Sequence, residues 1–181
     1  MSEYDANESL VITASGEDQV GLVEKLTSQI TAAACNIEES RMVALGGQFA
    51  IIMRATGASG ALVKLEGQLA STGQQLGLSI NHCRTGARAR ARAAIPYKVD
   101  VVALDHPGIV HSLARFFSER DINIEEVQTN TYPAPHTGAP MFSVNMMVGI
   151  PADANIAALR DEFVYYCDDL NLDAVLEVVR R

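Results

Sequence analysis

The sequence predicts an α+β protein made of two copies of one βαββαβ unit, each a four-stranded antiparallel sheet with both helices on one face. Three observations carry this expectation. The tetrapeptide Asn-Ile-Glu-Glu occurs at 36–39 and again at 123–126, an offset of 87 residues (123 − 36). At that same offset Asp18, Gly21 and Val23 become Asp105, Gly108 and Val110, with Ile109 in place of Leu22. Finally, Leu22, Val23, Leu26 and Ile30 have the spacing of a buried helix face, and so do their counterparts Ile109, Val110, Leu113 and Phe117. One internal duplication accounts for all three. Phe49 matches Phe142 at an offset of 93 (142 − 49), so the second copy has gained about six residues, within the Pro-rich stretch 132–140.

Each element follows from local pattern. Residues 10–14 are a short apolar strand, and the periodic stretch 18–34 predicts the first helix. Strands are expected at 37–45 and 49–55, joined by Gly46-Gly47, a hairpin signal because both positions accept positive φ. A Gly/Ser-rich break precedes a helix over 61–75, and a strand over 78–84 closes the unit. The second unit repeats the order: strand 98–104, helix 106–120, strands 124–131 and 141–149, helix 154–170, strand 172–179. In its third strand Phe142, Val144, Met146 and Val148 are expected to face the core, and Ser143 and Asn145 to face away. The adjacent Met146-Met147 is expected to fill core. The resulting topology is ferredoxin-like. Domain limits are placed at 1–85 and 97–181, around a basic Ala/Arg linker at 86–96.

Composition narrows the function. Two units of this length suit small single-core domains. The apolar share of 48% is that of a globular chain, with neither a membrane-length apolar run nor a leader at Met1. Cys35, Cys83 and Cys167 form no disulfide or zinc pattern, which favours a reducing cytoplasm. No metal site is expected: the four histidines lack ligand spacing, and His106 and His111 fall on different helix faces. No nucleophile motif of the G-x-S-x-G kind is present, so neither catalysis nor a cofactor is expected. A net charge of −8 opposes general affinity for phosphate backbones, and Arg84, Arg88, Arg90 and Arg92 around the linker are expected to be solvated.

The chemistry concentrates at the join of first strand and first helix, Asp18-Gln19-Val20-Gly21 and Asp105-His106-Pro107-Gly108, with Asn36 or Asn123 fifteen residues beyond each glycine. A glycine at a helix start lets a ligand approach the backbone, where free N–H groups and the helix dipole favour a carboxylate. Asn offers donor and acceptor to a zwitterion, and Asp offers a partner for its ammonium group. Simpler roles compete: Asp before a helix commonly caps it, and Asn after one is commonly the left-handed turn residue. The paired Glu residues that follow suit a solvated face.

The second-copy stretch 105–126 resembles the ACT-domain signature, an Asp-x-Pro-Gly helix start followed by an Asn-Ile strand start. The first copy resembles it apart from Val20 in the proline position. Two such domains filling nearly the whole chain are similar to the glycine cleavage system transcriptional repressor family. The resemblance implies a small-amino-acid sensor, glycine or serine first, with Asp18, Gly21, Asn36, Asp105, Gly108 and Asn123 as ligand contacts. It also implies control through a transcriptional activator protein rather than direct DNA binding. The alternative is a regulatory module of an enzyme such as formyltetrahydrofolate deformylase, for whose catalytic portion no sequence remains. An RNA-binding reading lacks the aromatic run it needs, at 6% aromatics and no Trp. Exposed sheet edges favour closure by pairing, within the chain or across a homodimer.

Overall fold

Strand patterning at the two ends of the duplication produces two separate sheets. In the computed structural model, which describes residues 8–86 and 94–179, the chain divides into two units, Met1–Ala89 and Arg90–Arg181. The first contains β1 (Ser9–Glu17), α1 (Leu22–Ala32), β2 (Asn36–Leu45), β3 (Gln48–Thr56), α2 (Ser59–Leu76) and β4 (Leu78–Thr85). The second contains β5 (Ala94–Leu104), α3 (Ile109–Ser118), β6 (Asn123–Pro133), β7 (Pro140–Pro151), α4 (Ile156–Asp169) and β8 (Asp173–Val178). Strand order is β2-β3-β1-β4 in one sheet and β6-β7-β5-β8 in the other, with every neighbouring pair antiparallel. Both units are ferredoxin-like, as expected.

Each core forms where alternate strand residues meet the helix stripes. In the first unit Leu10, Ile12 and Ala14 of β1 and Phe49, Ile51, Met53 and Ala55 of β3 pack under Leu22, Leu26 and Ile30 of α1 and Leu62, Leu65 and Leu69 of α2. The second core is more aromatic. Phe116, Phe117 and Phe163 meet with ring centroids 5.1–5.3 Å apart, an arrangement that adds about 0.5–1.5 kcal/mol per pair beyond burial.

Several expectations need correction. Val23 is not part of the buried stripe; it lies on the flank of α1, 39% exposed, because a cleft opens beside it. Met147 is only half-buried, since strand alternation turns it to the face opposite Met146. The first helix starts at Leu22 rather than residue 18, because Gly21 takes a left-handed conformation that no helix residue adopts. Arg84 is not a solvated linker residue. It belongs to β4, where its guanidinium forks onto Glu66 of α2 at 2.8 and 3.0 Å and also reaches Glu8 at 2.6 Å. Within the stretch predicted as linker, Ala94 to Pro96 belong to β5, while Arg88, Arg90 and Arg92 lie outside the described residues.

Candidate functional site

The two strand-to-helix joins have the same backbone. In each, the aspartate amide ties the loop to the neighbouring hairpin: Asp18 N–H donates to the Gly47 carbonyl at 3.0 Å and Asp105 N–H to that of Pro140 at 2.9 Å. The chain then turns through Gly21 (φ 90°, ψ 2°) or Gly108 (φ 98°, ψ −6°) directly into the helix. An added Cβ at Gly108 would meet nothing within 4 Å, and at Gly21 only the end of Lys25 at 4.0 Å. The glycines are therefore required by conformation, not by crowding.

This geometry leaves both helix starts uncapped. Gly21 and Gly108 are the N-cap residues, and no side chain accepts from the first-turn amides. Asp18 and Asp105 are accordingly not caps, because the loop holds them three residues ahead of the N-cap glycines. By contrast Asn155 does cap α4, its side chain accepting from Ala158 N–H at 3.2 Å. Leu22 N–H turns back onto the Gln19 carbonyl at 3.5 Å, and the remaining uncapped first-turn amides, at the positive end of the dipole, can receive a carboxylate.

In the first unit the join borders a cleft of about 620 Å³. Asp18, Gln19 and Gly21 form one lip, Glu24 and Thr27 continue along α1, and Leu22, Val23, Met42 and Phe49 form the apolar wall. Met42 reaches this wall because register places it opposite Ile51, on the helix side of edge strand β2. Sequence reasoning missed Glu24, Thr27 and Met42. Their signal was the one that mislabelled Val23, an apolar stripe wider than the core needs.

Asn36 and Asn123 lie elsewhere in their units. Asn36 pairs with Thr56 at one end of β3, while Glu17, just before Asp18, pairs with Gln48 at the other. Eight strand residues separate those ends (56 − 48), roughly 27 Å at about 3.4 Å per residue. In the second unit Asn123 pairs with Gly149 and Leu104 with Met141, giving the same separation. Each unit thus brings its aspartate and glycine together and holds its own asparagine at the far end of the sheet. Nor are the asparagines the left-handed residues: Ala34 (φ 61°) and Asp121 (φ 53°) take that conformation, two places earlier.

Fold and paired joins define a tandem ACT-domain protein, and residues 8–82 match the ACT domain family model. Over 170 residues the chain is 33% identical to the glycine cleavage system transcriptional repressor of Escherichia coli (strain K12), covering 94% of this chain and 90% of that protein. The protein of the same description from Shigella flexneri matches at the same identity and coverage. The chain belongs to the glycine cleavage system transcriptional repressor family. Among solved structures, a crystal structure provisionally described as a repressor of that kind is 26% identical with a TM-score of 0.74, covering 97% of this chain and 99% of that one. An unknown protein from Galdieria sulphuraria, also 26% identical, gives a TM-score of 0.78 over 96% of this chain and 99% of that one.

Proposed function

We propose that the chain is a non-enzymatic regulator that binds a small amino acid, glycine or serine, and acts on a transcriptional activator by protein contact in the cytoplasm. The carrying observation is the repeated join, a left-handed glycine ahead of an uncapped helix, with an aspartate three residues before it. The amino acid's carboxylate sits on the first-turn amides of α1 or α3. Its ammonium group faces Asp18 or Asp105. Residues Gly21 and Gly108 let the ligand reach the backbone, and Pro107, where the first copy has Val20, stiffens the second loop.

Titration calorimetry with glycine and serine tests this reading. A charge-assisted hydrogen bond contributes about 1.5–3 kcal/mol, so Asp18→Ala combined with Asp105→Ala should weaken binding at least about tenfold. Asn36→Ala, at the far end of β2, should leave the affinity unchanged. No heat with either amino acid, or full affinity in the double aspartate variant, would sink the proposal.

A further inference from the structure

Strand alternation sends Leu10, Ile12 and Ala14 of β1 to the helices, and Val11 and Thr13 to the opposite, open face of the first sheet. Register sets out that face in rows. Glu39 of β2, Arg54 of β3 and Val11 of β1 lie side by side in one row, and Arg41, Ile52 and Thr13 in the next. The two arginines are thus diagonal neighbours on adjacent strands, a relation that separates residues by about 7–8 Å, within reach of long side chains. Around them the face sinks into a cavity of about 240 Å³, bordered by Arg41, Arg54 and Glu39, with Val11 and Ile52 as its apolar part. Drug-sized ligands take pockets of about 300–1,000 Å³, so this one suits a smaller metabolite.

Neither arginine is locked in place. Arg54 pairs with Glu38 at 2.9 Å, and Arg41 reaches Glu39 at 3.5 Å and the Ser40 carbonyl at 3.2 Å. The four charged side chains are 42–65% exposed, and pairs so exposed contribute little and exchange partners readily. A lone anion at the arginines would meet Glu38 and Glu39, which it had displaced. A zwitterion would not: its carboxylate takes the arginines while its ammonium group takes a freed glutamate, so each charge keeps a partner. Ile52, 48% exposed, leaves apolar surface for a side chain to cover. The second unit has lost this combination. Register puts Gln128 in the place of Arg41, Met147 in that of Arg54 and Asn145 in that of Ile52. Lys98, in the place of Val11, pairs with Asp100 at 2.8 Å, and Gln128 donates to Glu126 at 3.2 Å.

We propose that the open face of the first unit carries a second binding site, separate from the strand-to-helix joins, for a free α-amino acid with an aliphatic side chain. Arg41 and Arg54 hold the carboxylate, Glu39 holds the ammonium group, and the side chain lies on Val11 and Ile52. The test is methyl-resolved NMR of the full chain, titrated with leucine, N-acetylleucine, leucinamide and glycine. Leucine should shift the methyl signals of Ile52 and Val11, with half-saturation at or below about 1 mM, the upper end of the usual range for metabolite sites. The two capped compounds should bind at least about tenfold more weakly, because each leaves a displaced side chain without a partner beneath the ligand. Glycine, with no side chain to cover the apolar floor, should leave these methyls in place at that concentration, even where calorimetry shows it bound at the joins. Arg41→Gln with Arg54→Met gives the first unit the residues that the second already folds with. That pair should weaken leucine at least about tenfold and leave glycine binding at the joins unchanged; Arg41→Gln alone, on the edge strand, serves if circular dichroism shows the pair misfolded. Methyls that leucine leaves unmoved, N-acetylleucine bound as tightly as leucine, or a folded variant with the parent's affinity each overturns the proposal.

Discussion

Ala34 and Asp121 hold the same left-handed position, two residues past the end of α1 and three past the end of α3, and the helices close there with matching bonds. Cys35 N–H donates to the Ile30 carbonyl at 3.1 Å, and Ile122 N–H to that of Phe117 at 3.0 Å. Such an end normally takes glycine, since a Cβ in left-handed geometry costs about 1–2 kcal/mol. Asp tolerates it better than Ala, so the strain is greater in the first copy. Ala34→Gly should therefore raise the stability of the first unit by about 1 kcal/mol, part of the relief being lost to the freer unfolded chain. Chemical denaturation reads it, and an unchanged or lowered midpoint would contradict it. The sequence pointed instead to Asn36 and Asn123. Asn is a good left-handed residue, but composition cannot say which of three adjacent positions turns until the helix end is known, and α1 stops at Ala32. The glycines Gly21 and Gly108 were legible for the opposite reason: a fixed offset marks them, and only glycine takes a φ of 90–98° readily.

At the scale of elements, order and type were legible throughout because the strand and helix periods are distinct and the duplication states each twice. Ends were less legible. β5 begins at Ala94, inside the stretch that low complexity marks as linker, because Ile95 pairs with Ile150 whatever its neighbours suggest. The Asn-Ile-Glu-Glu repeat also proves structural. Both copies place a β-bulge there, so that Glu38 and Glu125 are each an extra residue in the edge strand. The bulge lets Glu38 reach Arg54, and it lays Glu125 over Gly149, where a Cβ would come within 2.9 Å of its carboxylate. An ion pair ties the middle of α2 to the far end of β4, from Glu66 to Arg84. Hydrogen bonds from Arg84 hold the Glu66 carboxyl below its ordinary value of 4.5. A lowered folded value means the stabilisation is fully present above the ordinary glutamate range and is lost as pH falls through the folded value. Glu66→Gln should then be less stable than the parent at neutral pH, and the two should converge in acid. A difference that stays constant from neutral to acidic pH would show that the pair acts through packing alone.

At the scale of the molecule, duplication has kept the ACT framework and released the surfaces. The joins agree to within a few degrees at their glycines, whereas the flanking residues diverge: Glu24 is matched by His111, Gln19 by His106 and Met42 by Thr129. Such differences change the side chains that border each join without disturbing the fold. The relation between Asp18 and Asn36 was not legible, because it depends on which end of β3 each faces, and register sets that only once the sheet forms.

The distribution of cations bears on whether a member of a repressor family works on DNA unaided. Binding a duplex needs clustered free cations to displace counterions, and the chain carries a net −8. Its described arginines are engaged. Arg41, Arg54, Arg84, Arg115 and Arg120 each face a glutamate within 4 Å, and Arg120 also stacks over the Phe116 ring. Arg160 donates to the Leu176 carbonyl. Freeing such groups for phosphate would expose carboxylates to the same phosphates. The first helix of each unit is not available for a groove either: α1 and α3 turn their apolar stripes onto their own sheets, and Arg115 and Arg120 of the α3 end are held by Glu119 and Glu162. Arg88, Arg90 and Arg92 alternate with small residues and would at most add salt-sensitive contact. We therefore expect the purified chain alone to leave operator DNA of glycine-cleavage genes unshifted near physiological ionic strength. Addition of the activator should produce a slower complex that contains both proteins. Fluorescence anisotropy across a salt series separates the outcomes, and tight, sequence-specific binding by the chain alone that survives such salt would place its action on DNA directly.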